Sequence, residues 1–218
     1  MTSWLLFYRL WLFFAKTIFN RSGRKVFIHS NTIEDISCFD GAEKLTDLSF
    51  ANNKIEKIDA LKTCTQLQNL LGIYNQIQSI KALSDLENLK YIYLSHNKIS
   101  DMSPVSSFSQ EITLLDLGSN NISQLSVPTS FECKYLAIYN NPLKSLKDIE
   151  KVTGYTLLFS YIDQNNLSEL NKHFKTIMVV NCPLDQRVAT EQAIGKSYVT
   201  FSTLEEADNY IYGNLSWR

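Results

Sequence analysis

The sequence predicts an α/β fold: a right-handed solenoid, curved like a horseshoe, with a parallel sheet on its concave face and a helical cap at its C-terminal end. Asparagine returns every 22 residues from Asn31 to Asn97, and a frame of apolar residues returns around it. The chain holds 28 leucines and 18 asparagines but only 7 glycines. A fixed period of this length indicates stacked repeats.

Composition and charge limit the class of protein. The chain has 218 residues, of which 44% are hydrophobic and 20% are charged. That length buries a substantial core, and that composition is not typical of intrinsic disorder. The formal net charge of −1 provides no basic excess for steering a nucleic acid. We therefore expect no nucleic-acid partner.

The clearest copy of the frame is LTDLSFANNKIEKIDAL. The residues that recur from copy to copy stand at frame positions 1, 4, 6, 9, 11, 14 and 17, which here are Leu45, Leu48, Phe50, Asn53, Ile55, Ile58 and Leu61. Positions 4 and 6 alternate on a strand and point inward, so positions 3, 5 and 7 point outward. Positions 11, 14 and 17 close the core from the convex side. One copy cannot bury its own apolar face, so the coils must stack.

Position 9 is predicted to form an asparagine ladder that joins neighbouring coils. A side-chain amide there satisfies backbone groups that would otherwise be buried without partners. The predicted rungs are Asn31, Asn53, Asn75, Asn97, Asn120, Asn141 and Asn165.

Three coils depart from the frame, and the first of them has Gly23 at position 1. Gly72 occupies position 6 of the third coil, so either a neighbour fills a local void or the strand shifts. The coil around Ser160 has two registers, one anchored on Asn165 and one on Asp163. We favour the first, which places Leu157 at position 1 and Ser160 at position 4.

The frame L-x-x-L-x-L-x-x-N/C-x-L resembles the leucine-rich repeat, and residues 23–201 resemble its short, 22-residue class. The tail that follows each asparagine is similar to internalin-type and phosphatase-regulator-type repeats. The resemblance implies a solenoid that binds its partner on the concave face. It also implies that Cys182, which follows the strand frame of Ile177 and Val179, takes the ladder position as a structural thiol.

Three regions are predicted along the chain: an N-terminal segment at residues 1–22, about eight coils over 23–184, and a cap at 185–218. The first segment is apolar, with Arg9 and Lys16 on one helical face. We expect either a helix that caps the open core or an interfacial membrane helix, with a degenerate signal anchor as a third interpretation.

The C-terminal cap is predicted as helix, strand and helix. The first helix spans 185–194 and the strand spans 198–201. Ser202 with Glu205 three residues later is a capping-box pattern that opens a helix ending near Tyr212, before Gly213. We expect these helices to close the end of the core with a polar surface.

The outward positions of the predicted sheet carry an unusual number of aromatic residues. The candidate partner-binding residues on this concave face are Tyr91, Tyr93, His96, Asp116, Tyr135, Tyr139, Phe159 and Tyr161. A contiguous tyrosine-rich surface is typical of protein interfaces. The alternative is that these residues are good strand formers which pack across neighbouring strands.

The sequence gives little support for a catalytic site or a metal site. His29 and His96 face the same side but lie three coils apart, about 14 Å, too far to share a metal ion. Asp116 is expected close enough to pair with His96 across adjacent strands, and the ordinary presence of polar side chains on a solvated face explains both residues better than catalysis does. The four cysteines lack C-x-x-C spacing and are predicted to be reduced structural thiols. We expect no enzymatic activity, no cofactor and no metal.

The sequence therefore predicts a non-enzymatic interaction module, a cytoplasmic monomer that binds a protein or a peptide. One alternative is a membrane-associated scaffold in which residues 1–20 contact lipid, and a secreted protein is another. A regulatory subunit of a phosphatase-like enzyme rests on family analogy alone.

Overall fold

The computed structural model describes residues 24–108, 111–127, 130–160, 170, 172–181 and 198–213. Within them the strands form one parallel sheet in the order β1-β2-β3-β4-β5-β6-β8-β9-β10, and β7 pairs with β6. The elements are β1 (Lys25–Phe27), β2 (Asp47–Ser49), β3 (Asn69–Leu71), β4 (Tyr91–Tyr93), β5 (Ile112–Asp116), β6 (Phe131–Ala137), β7 (Val152–Thr153), β8 (Thr156–Ser160), β9 (Thr176–Val180), β10 (Tyr198–Phe201) and helix α1 (Leu204–Gly213). The sheet is open, and the solenoid predicted from the repeat is confirmed.

The convex side is built from short 3-10 helices. They lie at Ser37–Phe39, Asp59–Thr63, Lys81–Leu83, Ser103–Ser107 and Ile149–Lys151. A coil of about 22 residues leaves too few positions for a full α-helix between its strands, and single 3-10 turns suffice. Frame positions 4 and 6 of the strands and the convex leucines and isoleucines merge into one continuous core from Val26 to Val179.

The strand at Gly72 does not shift. Leu70 pairs with Leu48 on one side and with Ile92 on the other, so the register continues through the third coil. A Cβ atom on Gly72 would overlap the Phe50 ring, which occupies the space that a larger residue would fill. The void is therefore filled by the neighbouring coil.

The predicted register around Ser160 is wrong. Leu157 pairs with Leu136 and Leu158 pairs with Ala137, which places Leu157 at frame position 4 and Phe159 at position 6. Phe159 is buried in the solenoid core, so its assignment to the concave face is wrong as well. Burial of alternate residues sets the register of a strand, and here it overrides the spacing to the next asparagine.

The following strands match the sequence prediction. Ile177 pairs with Leu157 and Val179 pairs with Phe159, and β10 then pairs with β9. Helix α1 begins one residue later than the capping-box pattern indicates, because Thr203 Oγ1 accepts from Glu206 N at 3.1 Å. The Glu206 carboxylate in turn accepts from Ser202 N at 2.7 Å.

Several predictions fall on residues outside the described part of the chain. They concern the segment at 1–22, the helix at 185–194, and the residues Tyr161, Asn165 and Cys182. Among the residues that the structure describes, no helix combines the length and the apolar character needed to cross a membrane.

Candidate functional site

The asparagine side chains join successive coils by a repeated set of hydrogen bonds. Asn97 Oδ1 accepts from Ile77 N at 2.9 Å, and its Nδ2 donates to the carbonyls of Gly72, Leu94 and Ser95. Asn53, Asn75, Asn120 and Asn141 repeat this arrangement. Asn31 in the first coil is exposed and bonds to carbonyls of its own coil.

The residue before each of these asparagines has a left-handed backbone. The set with positive φ at this position is Ser30, Asn52, Tyr74, His96, Ser119 and Asn140. The repeated turn places side chains of adjacent coils side by side at the end of the strands. The Tyr74 and His96 rings consequently stack, with their centroids 4.1 Å apart.

Helix α1 lies against the concave face of the sheet. Its buried residues are Ala207, Ile211 and Tyr212. Ile211 and Tyr212 follow Ala207 by four and five residues, which places all three on one side of the helix. They join a separate apolar cluster with outward-facing strand residues such as Ala137 and Met178. The expectation that this helix closes the end of the core is therefore wrong, since the chain turns back at Ser202–Thr203.

The middle of α1 places a carboxylate between two coils. Asp208 accepts hydrogen bonds from the Tyr139 hydroxyl and from His96 Nε2, the latter at 3.1 Å. Burial, followed by the nearby negative charge of Asp116, raises the pKa of Tyr139, so its hydroxyl keeps its proton and serves as a donor.

One turn later, Tyr212 reaches a second carboxylate. Its hydroxyl donates to Asp116 Oδ2 at 2.6 Å, and Ser95 donates to the Tyr212 oxygen because that hydroxyl has a single proton. Gly118 N donates to Asp116 Oδ1 at 3.0 Å. Burial raises the pKa of Asp116 to about 6, against the lowering effect of the hydrogen bonds from Tyr212 and Gly118.

The docked helix changes which predicted residues face solvent. Tyr93, Asp116 and Tyr139 are 4%, 0% and 0% exposed, so the expectation that they form an open patch is wrong. Tyr135 is 41% exposed, and Tyr91 is half-buried. The reason is that α1 covers the middle of the sheet and leaves its margins accessible.

The predicted pairing of His96 with Asp116 gives way to contacts with α1. His96 bonds to Asp208, and Asp116 bonds to Tyr212. Sequence reasoning missed Ser95, Asp208 and Tyr212. The available signal was the amphipathic spacing of Ala207, Ile211 and Tyr212, which marks a helix face that must be covered.

Two depressions flank α1 on the concave side. One has a volume of about 740 Å³ and is lined by Phe27, His29, Leu71, Ile73 and Tyr74, with Tyr212 at its wall. The other, of about 350 Å³, is lined by residues that include Tyr91, Leu114, Tyr135, Leu158 and Tyr210. Apolar and aromatic side chains dominate both.

The described residues offer no site for a metal ion and no reactive thiol. No group of three histidine, cysteine or acidic side chains lies close enough to hold a metal within the described ranges. Cys38, Cys64 and Cys133 are buried, and none of the three forms a disulfide. Burial raises the pKa of Cys64 and of Cys133 to about 12, which suppresses the reactive thiolate.

Comparison with known proteins agrees with the repeat geometry. A family model described as "Leucine Rich repeats (2 copies)" matches residues 71–107, which contain the Asn75 and Asn97 rungs. The chain is a leucine-rich repeat protein. Leucine-rich repeat proteins are typically non-enzymatic modules for protein–protein interaction. No curated protein matches the chain by sequence.

Two solved internalin structures from Listeria monocytogenes are similar to this leucine-rich repeat protein. An internalin (inlF) is 20% identical with a TM-score of 0.66, over 88% of this chain and 63% of the internalin. Internalin C2 is 19% identical with a TM-score of 0.55, over 76% of this chain and 74% of that one. The chain thus spans less than two thirds of the first internalin. At these identities the likeness shows a shared fold.

Proposed function

We propose that this leucine-rich repeat protein is a non-enzymatic module that binds a protein or a peptide on its concave face. The observation that carries the proposal is the apolar depression beside α1. Phe27 is 51% exposed and Tyr74 is 47% exposed, and Leu71 and Ile73 line the same depression. Outward strand residues on a solvated sheet are usually polar, and a clustered apolar surface of this kind is typical of an interface.

The second depression extends this surface on the other side of the helix. Tyr135 and Tyr155 present rings 6.5 Å apart, and Lys175 lies 4.5 Å from the centre of the Tyr155 ring. Tyrosine offers a large contact area with few rotatable bonds, and its hydroxyl can bond to a partner. A partner can reach three of the predicted binding residues without moving α1: Tyr91, Tyr135 and the exposed edge of the His96 ring.

The chemistry of this surface favours a protein over a nucleic acid. The chain has a net charge of −1, whereas phosphate recognition needs clustered lysine and arginine. Lys25, at the edge of the concave side, pairs with Asp47 at 3.5 Å. We place the module in the cytoplasm as a monomer, and a cytoplasmic location suits the buried thiols of Cys38, Cys64 and Cys133, none of which forms a disulfide.

Site-specific photocrosslinking tests the binding face. A benzophenone amino acid replaces Tyr74 in the concave depression, and in a matched control it replaces Lys57, which is exposed on the convex side. After irradiation in native lysate, we expect discrete protein adducts from position 74 and none from position 57. Replacing Phe27 with serine should abolish the adducts at position 74. Equal labelling from both positions would overturn the proposal.

A further inference from the structure

Helix α1 is attached to a solenoid that is complete without it. The main core runs through all the described coils and contains no residue of α1. The residues of α1 belong to a second cluster, formed with the outward side of the sheet. Lifting the helix away would expose that second cluster and leave the ladder and the main core intact.

We propose that the concave face recognises an amphipathic helix of a partner protein, and that α1 is an intramolecular copy of that ligand. This inference rests on the proposed binding face and names the class of partner that occupies it. In the unbound chain α1 fills the site, and a partner helix must displace it.

The first part of the argument is a pair of polar sockets on the sheet. His96 and Tyr139 supply donors from two different coils, and they receive one carboxylate, that of Asp208. Asp116 and Ser95 form the second socket, which receives one aromatic hydroxyl, that of Tyr212. Tyr139, Ser95 and Asp116 are buried and His96 is half-buried. Polar groups in such positions need complementary partners, so they select for a carboxylate and a hydroxyl spaced four residues apart on a helix.

The second part is an apolar strip beside the sockets, on strands β6, β8 and β9. Ala137, Leu158 and Met178 are buried against α1, and Ala207 of the helix is fully buried. A small residue at this point lets the helix approach the sheet closely. The expected ligand is therefore a helix that carries a small residue, an adjacent aspartate, and an aliphatic and a tyrosine residue one turn later.

The third part is the unfilled space around the helix. The depressions of about 740 Å³ and about 350 Å³ border α1 on opposite sides, with Tyr212 in one wall and Tyr210 in the other. Helix α1 has 10 residues, so it occupies only part of the surface that the coils offer. A partner helix with larger flanking side chains would gain contacts that α1 lacks, which provides the free energy to displace it.

The tether makes α1 a strong competitor. Only Ser202 and Thr203 separate β10 from the helix. A short linker produces an effective concentration in the millimolar range, so a free helix of equal affinity binds the native chain poorly. The test therefore compares the native full chain with full chains whose helix is released.

The probe is a fluorescent peptide of residues 202–213, with a side-chain lactam joining Glu205 to the lysine of an Asn209→Lys change on the exposed face. The lactam supports helicity that so short a peptide would otherwise lack. The released chains carry Ala207→Glu or Ile211→Glu, which place a charge at a buried position of α1. We expect the peptide to bind both released chains at least tenfold more tightly than the native chain, by fluorescence anisotropy.

Two peptide variants separate recognition from general adhesion. Asp208→Asn removes the charge received by His96 and Tyr139, and Glu206→Gln removes one equal charge from the exposed side. We expect the first to weaken binding to the released chains at least fivefold and the second to change it less than twofold. Hydrogen exchange at the ladder amides establishes that the released chains keep the solenoid.

Three results would overturn the inference: no peptide binding to either released chain, equal binding to the native chain, or equal effects of the two peptide variants. These outcomes are distinct from failure of the proposed function, which is measured by crosslinking at position 74. A chain that gives adducts there yet ignores the peptide binds proteins by another mode. If the inference is right, the released chains also yield the same adducts at lower concentration.

Discussion

Tyr212 donates a hydrogen bond to Asp116 across 96 residues of sequence, and both side chains are buried. The contact joins the last described helix to the fifth strand of the sheet. Burial of Tyr212 and the negative charge of Asp116 both raise the pKa of that tyrosine, so it remains a donor. This bond fixes α1 on the concave face.

Removing the Tyr212 hydroxyl should loosen α1 selectively. Tyr212→Phe leaves Asp116 buried with one donor fewer, a loss of about 1–3 kcal/mol. We expect faster hydrogen exchange at α1 amides and no change at the ladder amides of Asn97 and Asn120. Tyr210→Phe is the matched control, because Tyr210 is 43% exposed. Uniform acceleration along the chain would contradict the prediction.

Docking of α1 should weaken as the pH rises toward 6. The pKa of Asp116 rises from an ordinary 3.8 to about 6 in the docked state. Between these values the docked state holds a proton that the released state has lost, so docking is stronger at pH 4 than above pH 6. Proteolysis at α1 measured from pH 4 to 7.5 checks this.

The control for the pH effect is Asp116→Asn, which keeps the shape of the side chain and removes its charge. We expect this variant to lose the step between pH 4 and 6. Asp208, Tyr139, Tyr93 and Tyr212 also face the site, and His96 pairs with Asp208. His96→Gln should therefore retain the Asp116 step, and its disappearance would assign the effect to the histidine.

A methyl group at Gly118 should destabilise the chain. The Tyr139 ring lies directly over this glycine, and a Cβ there would overlap it. We expect Gly118→Ala to lose about 1–3 kcal/mol in the free energy of unfolding, as overpacked sites do. Gly213→Ala is the control, since a Cβ at that position meets nothing within 4 Å. Chemical denaturation of both variants distinguishes a local clash from a general effect.

Interior rungs of the ladder should matter more than the first one. Asn97→Ala leaves one backbone N–H and three carbonyls without their side-chain partner in a buried setting. We expect a loss of about 3 kcal/mol in the free energy of unfolding. Asn31→Ala should cost below about 1 kcal/mol, because Asn31 is exposed. Equal losses in the free energy of unfolding at both positions would show that burial and the bonds between coils add nothing to the stability of an interior rung.

The sequence was sufficient for the coils because each frame position meets the same environment in every repeat. Leu48, Leu70 and Ile92 pair in register since each buries the same face against its neighbours. The 22-residue period gave the wrong strand register where fewer residues match the frame. At Leu157 and Phe159 the alternation of buried residues decides the register, and the asparagine at 165 misled the prediction.

The docking of α1 was beyond the reach of the repeat pattern. Nothing in the spacing of Ala207, Asp208 and Tyr212 states which surface covers them, because the residues that hydrogen-bond to Asp208 and Tyr212 lie 69 to 117 positions earlier in the chain. The excess of tyrosine on the sheet is visible in the sequence, and its two explanations both hold in part. Tyr139 is packed beneath the helix, whereas Tyr135 remains accessible.

The position of α1 after all the coils has a consequence for biosynthesis. Every described strand of the sheet leaves the ribosome before residues 204–213 do. The tyrosine-lined concave face of the growing solenoid therefore remains exposed to solvent until α1 has been synthesised. Nascent chains with uncovered apolar surface are prone to association. The helix that covers the sheet in the finished molecule is thus synthesised last. Chains truncated before residue 204 should fold their coils and then aggregate.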